Sequence, residues 1–338
     1  MTTAATWNMG SLMELATGYW KSALLSAGVQ LGVFDALSEG ARTVAELAKE
    51  KKVPERYLAE ILDALTALTL LEKEEGVYRI AAGADAFMNR SSPTCLLDAL
   101  RFNMDLYPLW GKLADCVQQG APAIPPGAHL GNDPQRTRRF AMGMHSRALG
   151  MAPAVLPELA PVEAGEQYLD VAAGPGTFSR MLSEQHSDIR VTQFDLAPVL
   201  AVARELTVDS SAADRIAFCD GDYHRDALPG GFDCALLCGA IHQESEESAA
   251  ELFAKIRAAV RPGGRFIIVD MMLEPDRCGP LFSNLFSINM MLTSPQGRVL
   301  TADVLTRLLY AAGFPAVELR QPTGSPYWVL IGREAEEE

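Results

Sequence analysis

Apolar positions recur at helical spacing through residues 10–37, "GSLMELATGYWKSALLSAGVQLGVFDAL", so the chain is expected to open with one or two long amphipathic helices. "RTVAELAKE" continues in the same period, "VPERYLAEILDALTALTLL" carries Pro54 near a helix start, and in "LEKEEGVYRIA" Gly76 turns a short hairpin. Helix, helix and hairpin in that order make a winged-helix unit. Residues 93–160 read as helix, interrupted by the Pro- and Gly-rich loop "GAPAIPPGAHLGNDP". The helix after it, "RRFAMGMHSRALGMAPAVLPELAP", gathers Phe140, Met144 and His145.

From residue 166 the period changes to strand, turn, helix: "QYLDVAA", "IRVTQFDL", "RIAFCDGD", "FDCALLCG" and "RFIIVDMML" are apolar runs with helices between them. Such alternation argues a parallel sheet covered on both faces. "AVELRQ" and "YWVLIGR" close the chain as a hairpin on the sheet edge, and "EAEEE" is a solvated acidic tail. The expected class is α/β: a carboxy-terminal Rossmann-like, doubly wound sheet preceded by an all-helical winged-helix domain. The expected boundaries are 1–110 for the winged helix, 111–160 for a helical connector contributing to a substrate pocket, 161–333 for the sheet domain and 334–338 for the tail.

The length of 338 residues exceeds the usual single domain and agrees with two cores. No apolar run is long enough for a membrane span, and "MTTAATWNMGS" lacks the basic-then-apolar layout of a signal peptide, so a cytoplasmic location is expected. The six cysteines show no C-x-x-C spacing, which suggests neither a metal site nor a disulfide framework. A net charge of -14 disfavours nucleic acid and anionic membrane as partners. The winged helix, a common DNA reader, does not reverse this. Its second helix carries Glu55, Glu60 and Asp63 against Arg56, and its hairpin carries Glu72, Glu74 and Glu75.

In a doubly wound sheet a ligand sits at the carboxyl ends of the strands, over the first strand-to-helix turn, here "YLDVAAGPGTFSRML". A nicotinamide dinucleotide wants G-x-G-x-x-G or A, with its pyrophosphate on the helix N-terminus. The third position is Ser179, and Asp170 at the strand end would repel a pyrophosphate. A ligand with a cationic amine and no phosphate would welcome that carboxylate, and S-adenosylmethionine is such a ligand. Asp195, some 25 residues on, ends the next strand where an acidic residue meets ribose hydroxyls. Asp222, in "CDGDY", closes the following strand and could accept from an adenine amino group. Any one of these features is commonly structural; carboxylates at three successive strand ends beside a Gly turn point to the cofactor.

Together, "LDVAAGPGTFS", "FDL", "GDY", "IHQESEE", "RPGGRFIIVDMML" and "LTSPQGRVLTADVLTRLLYAAGF" resemble the small-molecule O-methyltransferases of the caffeate, hydroxyindole and bacterial natural-product type. "ATGYWKSALLSAGVQLGVFDAL" is similar to the start of their winged-helix dimerisation domain. The resemblance covers nearly the whole chain. It implies a homodimer whose helical parts help cover the active site, S-adenosylmethionine as cofactor with S-adenosylhomocysteine as product, and no metal. By resemblance the cofactor residues are Asp170, Gly174, Gly176, Asp195, Leu196, Asp222, Tyr223 and Cys238. His242 falls where the family keeps its general base, and Asp270 where an acidic residue orients that imidazole. A base is needed because a phenol is about 3.5 pK units weaker as an acid than imidazolium, so outright deprotonation costs about 5 kcal/mol. Removing the proton as the methyl moves spreads that cost.

The chain departs from the family pattern at Gln243, Glu244 and Val299, which stand where an Asp, a Trp and a second acidic residue are usual. Pocket candidates are Met142 or Met144 with His145, and Tyr107, Trp110, Met272, Phe286, Asn289 and Met290, a flat apolar set suited to an aromatic ring. No Arg or Lys is positioned for a substrate carboxylate, which favours a neutral aromatic or polyketide-like acceptor. The reading is a cytoplasmic O-methyltransferase of secondary metabolism. Its alternatives are the same fold using bound cofactor for hydroxylation, decarboxylation or cyclisation, and a metabolite-sensing regulator.

Overall fold

The computed structural model describes residues 7–124, 133–159 and 161–334. The chain divides after Asp105 into two compact units. The first holds α1 (Met9–Thr17), α2 (Tyr19–Gln30), α3 (Val33–Ser38), β1 (Arg42–Thr43), α4 (Val44–Lys51), α5 (Glu55–Ala67), β2 (Leu71–Glu74), β3 (Val77–Ile80), α6 (Asp85–Met88) and the start of α7 (Leu97–Trp110). Leu58, Leu62 and Leu65 form the buried stripe of α5 and share a core with Val29, Val33, Phe34 and Tyr78. Glu75 and Gly76 both take positive φ, 50° and 81°, the geometry that lets a two-residue turn follow the strand twist. The unit is not all helix: β1 joins the hairpin in a sheet of order β1-β3-β2. Two residues are too few to show a strand period.

The hairpin's basic side chains are engaged within this unit. Lys73 Nζ donates to Asp63 at 2.7 Å, and Arg79 reaches Glu72 and Glu74 at 2.8 and 3.0 Å. The opening run forms three helices rather than one or two, parted at Gly18 and at Gly32, whose φ is 66°. α1 buries none of its residues; Leu12, Met13, Tyr19 and Trp20 are all more than half exposed.

The second unit continues from α7 through α8 (Leu113–Gln119) to α9 (Pro134–Val155), which Asp133 caps by accepting from Gln135 N and Arg136 N. Much of the predicted Pro- and Gly-rich loop, residues 125–132, lies outside the described residues. The sheet domain then runs β4 (Gln167–Val171), α10 (Thr177–Gln185), β5 (Arg190–Asp195), α11 (Ala197–Thr207), β6 (Ile216–Asp220), β7 (Phe232–Cys238), α12 (Glu246–Ala259), β8 (Val260–Asp270), α13 (Leu281–Thr293), α14 (Ala302–Ala311), β9 (Ala316–Arg320) and β10 (Trp328–Arg333).

The strand order is β6-β5-β4-β7-β8-β10-β9, parallel except for β10, which runs antiparallel between β8 and the edge strand β9. Side chains alternate between two cores. Leu169, Leu237 and Ile268 enter one, and Tyr168, Leu236 and Ile267 the other. Near the start of β4, Glu166 is buried against Arg265 and accepts from the Tyr168 hydroxyl at 2.8 Å. At the other edges, Arg204 pairs with Asp220 of β6 at 3.2 Å, and Arg320 of β9 pairs with Glu318 at 2.7 Å. Glu334, first residue of the predicted acidic tail, is tied down by Arg257 and by the Gly263 amide at 2.7 Å; residues 335–338 lie outside the described residues. The chain leaves β4 toward β5 and leaves β7 toward β8, so the sheet's switch point lies between β4 and β7.

Candidate active site

The turn after β4 stands at that switch point. Ala172, Gly174 and Gly176 all take left-handed φ, 54°, 58° and 67°, and at Ala172 this costs about 1 kcal/mol because a Cβ is present. The two glycines differ in what they make room for. A Cβ on Gly176 would lie 2.1 Å from Gln193 Nε2, whereas one on Gly174 would meet nothing within 4 Å. Gly176 therefore admits buried Gln193, which donates to Gly176 O at 3.2 Å and to Ser179 Oγ at 3.1 Å. Gly174 faces open space, where backbone can approach a ligand.

Asp170 is buried, and its Oδ1 has no hydrogen-bond partner among the described residues. Burial pushes its carboxyl up to about 7, the Asp195 charge adding to this and the Ser179 hydroxyl opposing it. Asp195 accepts from Gly174 N and Leu196 N, both at 2.7 Å, so the ends of β4 and β5 are locked together. Burial raises the Asp195 carboxyl to about 6, against those two donors. Cys238, at the end of β7, has its thiol pushed well up by burial and by the charges of Asp170 and Asp270. An unpartnered buried carboxylate is costly until a cation meets it. These acceptors fit S-adenosylmethionine, whose ammonium suits Asp170 and whose ribose hydroxyls suit Asp195.

Asp222 lies two residues beyond β6, and its side chain is engaged in its own turn. It accepts from His224 N at 3.0 Å and approaches Arg225 Nε at 3.5 Å. Tyr223 donates its hydroxyl to Glu244 Oε1 at 2.7 Å.

His242 sits in a single 3-10 turn after β7, 7% exposed. Its Nδ1 is 2.8 and 2.9 Å from the two oxygens of Asp270, the fully buried last residue of β8. A carboxylate only accepts, so Nδ1 carries the hydrogen and Nε2 is left as the acceptor. Phe286 meets the imidazole edge-on, with ring centroids 4.8 Å apart. Val299 is buried, with its amide on Ser287 Oγ at 3.1 Å. Where the family places a second acid, this chain has apolar packing.

Of the predicted pocket, Phe286, Asn289 and Met290 share α13, and Trp110 Nε1 donates to Asn289 Oδ1 at 3.1 Å. His145 Nδ1 lies 2.8 Å from Thr177 Oγ1, the first residue of α10, which links α9 to the Gly turn. Tyr107, Met142 and Met144 are half-buried on α7 and α9. Met272 has no exposed surface and packs beside Ile241 and Leu300, so it is core rather than lining. Sequence reasoning missed Gln193, Thr177 and the burial of Glu244; only the last left a trace, as a departure from the family pattern. A separate groove of about 970 Å³ lies wholly within the first unit, beside Leu70, Lys73 and Phe87, and none of the residues above lines it.

Among the described residues no group of three His, Cys, Asp or Glu side chains is placed to hold a metal ion, and no helix is long and apolar enough to cross a membrane. The O-methyltransferase domain family matches residues 110–315, and the O-methyltransferase dimerisation domain matches residues 13–90. The chain is 29% identical to the tetracenomycin polyketide synthesis 8-O-methyl transferase TcmO of Streptomyces glaucescens, over 96% of each chain. It is also 29% identical to the 3-hydroxy-5-methyl-1-naphthoate 3-O-methyltransferase of Streptomyces sahachiroi, over 89% of this chain and 88% of that one. The fold superposes on human N-acetylserotonin methyltransferase, solved in complex with SAM, with a TM-score of 0.87 at 25% identity, covering 98% of this chain and 100% of that one.

Proposed function

Since the chain belongs to the O-methyltransferase family and carries that family's dimerisation domain, we propose that it is a homodimeric, S-adenosylmethionine-dependent enzyme. It methylates a hydroxyl, most readily a phenol, on a small aromatic or polyketide-like molecule. The observation that carries the reading is the His242–Asp270 pair, at 2.8 Å, at the same end of the sheet as the Gly turn and the unpartnered Asp170 oxygen. When bound, the cofactor supplies an electrophilic methyl group on a cationic sulfur and departs as S-adenosylhomocysteine.

Asp170 would hold the ammonium and Asp195 the ribose hydroxyls, with Gly174 bare so that backbone could lie close. His242 Nε2 takes the acceptor's hydroxyl proton while the oxygen gains its methyl, so the cost of about 5 kcal/mol for a free phenolate is never met in full. Asp270 steadies the imidazolium until the proton passes to solvent. Phe286 holds the ring from its edge and helps exclude water. A homodimer is supported by α1 and the start of α2, which leave Leu12, Met13, Tyr19 and Trp20 exposed in the single chain. The sensor reading and the non-methylating chemistries gain no observation in their favour.

Calorimetric titration with S-adenosylhomocysteine is the first test, followed by methylation assays on a panel of phenols. His242→Ala is expected to lower kcat by about 10²- to 10⁴-fold with cofactor affinity unchanged. Absence of binding, or full turnover by His242→Ala, overturns the corresponding part of the reading.

A further inference from the structure

We propose that Glu244, rather than Asp222, reads the 6-amino group of the cofactor's adenine; this rests on the cofactor assignment above. Strand ends in such a sheet meet a nucleoside in order, and with Asp170 on the amino-acid end and Asp195 on the ribose, the base falls beyond β6. There Tyr223 follows β6, and Glu244 crosses from the loop after β7 to accept its hydroxyl at 2.7 Å. Burial pushes the Tyr223 phenol up, and the charges of Glu244, Asp195 and Asp222 add to this. The exposed His224 ring lies 4.4 Å from the Tyr223 ring, with Nε2 3.4 Å from the same Glu244 oxygen.

Asp222 accepts from His224 N at 3.0 Å and lies 3.5 Å from exposed Arg225, both within its own turn. Glu244 is only 2% exposed, and the Tyr223 hydroxyl and His224 Nε2 both meet its Oε1 rather than its Oε2. A carboxylate oxygen that neither of these partners takes, on a side chain held this far from bulk water, favours a ligand's hydrogen-bond donor. The 6-amino group of adenine is such a donor; the 6-oxo group of a hypoxanthine or guanine base is an acceptor and is turned away. The site thereby discriminates at the purine's 6-position with an element the family pattern lacks.

The experiment compares Kd for S-adenosylhomocysteine and S-inosylhomocysteine in the native protein, Glu244→Gln and Asp222→Asn. The native protein should favour the adenosyl ligand, and Glu244→Gln, whose amide can both donate and accept, should shrink that preference by about tenfold or more, chiefly by admitting the inosyl ligand. Asp222→Asn should keep the native ratio. If thermal melting shows Glu244→Gln unfolded, Glu244→Leu, which replaces the buried acceptor by an apolar side chain, serves instead and should bring the ratio toward one. An unchanged ratio in a folded Glu244 variant that still binds S-adenosylhomocysteine overturns this assignment alone. Failure of the native protein to bind S-adenosylhomocysteine removes the cofactor assignment with it.

Discussion

The buried carboxyl of Asp170 makes cofactor binding depend on pH in a calculable way. Burial raises it from 3.8 to about 7, so at about 1.4 kcal/mol per pK unit its ionisation in the folded chain costs about 4 kcal/mol more than in water. A raised carboxyl pKa means that the folded chain holds the proton where the unfolded chain has lost it. Without a bound cation, stability therefore falls as pH climbs from about 4 to about 7. Ligand affinity moves the other way, because only the carboxylate attracts an ammonium.

For one group titrating at about 7, the Kd for S-adenosylhomocysteine should be about eightfold weaker at pH 6 than at pH 7.5, and binding at pH 7 should release about half a proton. Calorimetry in two buffers of different ionisation heat measures both. Asp170→Asn should bind more weakly and lose most of the slope, while melting higher than the native protein at pH 7.5. A native Kd that stays level from pH 6 to 7.5, or an unaltered slope in Asp170→Asn, would refute the assignment of this buried acid to the ligand's amine.

The two glycines of the turn should separate binding from folding. Gly174→Ala places its Cβ in open space and should lose cofactor affinity more than stability, whereas Gly176→Ala drives its Cβ into Gln193 and should lower the melting temperature. Trp20→Glu puts a charge on an exposed apolar helix and should shift the protein from dimer toward monomer in light scattering. Arg265→Met leaves Glu166 buried without its cation and should cost about 3 kcal/mol or more in denaturant unfolding, with cofactor affinity little changed because the pair lies near the start of β4.

Much of the sheet domain is legible in the sequence because four of the proposed catalytic and binding positions fall where a local pattern ends. Asp170, Asp195, His242 and Asp270 all stand at or just beyond the close of apolar runs, and β4, β5, β7 and β8 place them at one end of the sheet. What pattern cannot supply is which loops meet. Glu244 and Tyr223 are separated by 21 residues, and neither belongs to a periodic segment. "GPG" shows a bare turn but not that one glycine answers to Gln193 across the strand pair and the other to open space. Likewise the amphipathic spacing of α1 implies a buried face, yet among the described residues none of α1 is buried. The failure is informative, since local periodicity cannot say whether the matching surface belongs to the same molecule.

The two terminal strands of the large sheet, β6 and β9, each have a hydrogen-bonded neighbour on one side only. An open strand edge is a template on which another chain can polymerise. On β6, Asp220 is paired with Arg204, whose guanidinium lies 4.9 Å from the Phe218 ring; on β9, Glu318 and Arg320 form an exposed ion pair. An incoming strand would have to strip water from those charges and fit around them. The carboxy-terminal domain is thus guarded against fibrous growth from its strand edges.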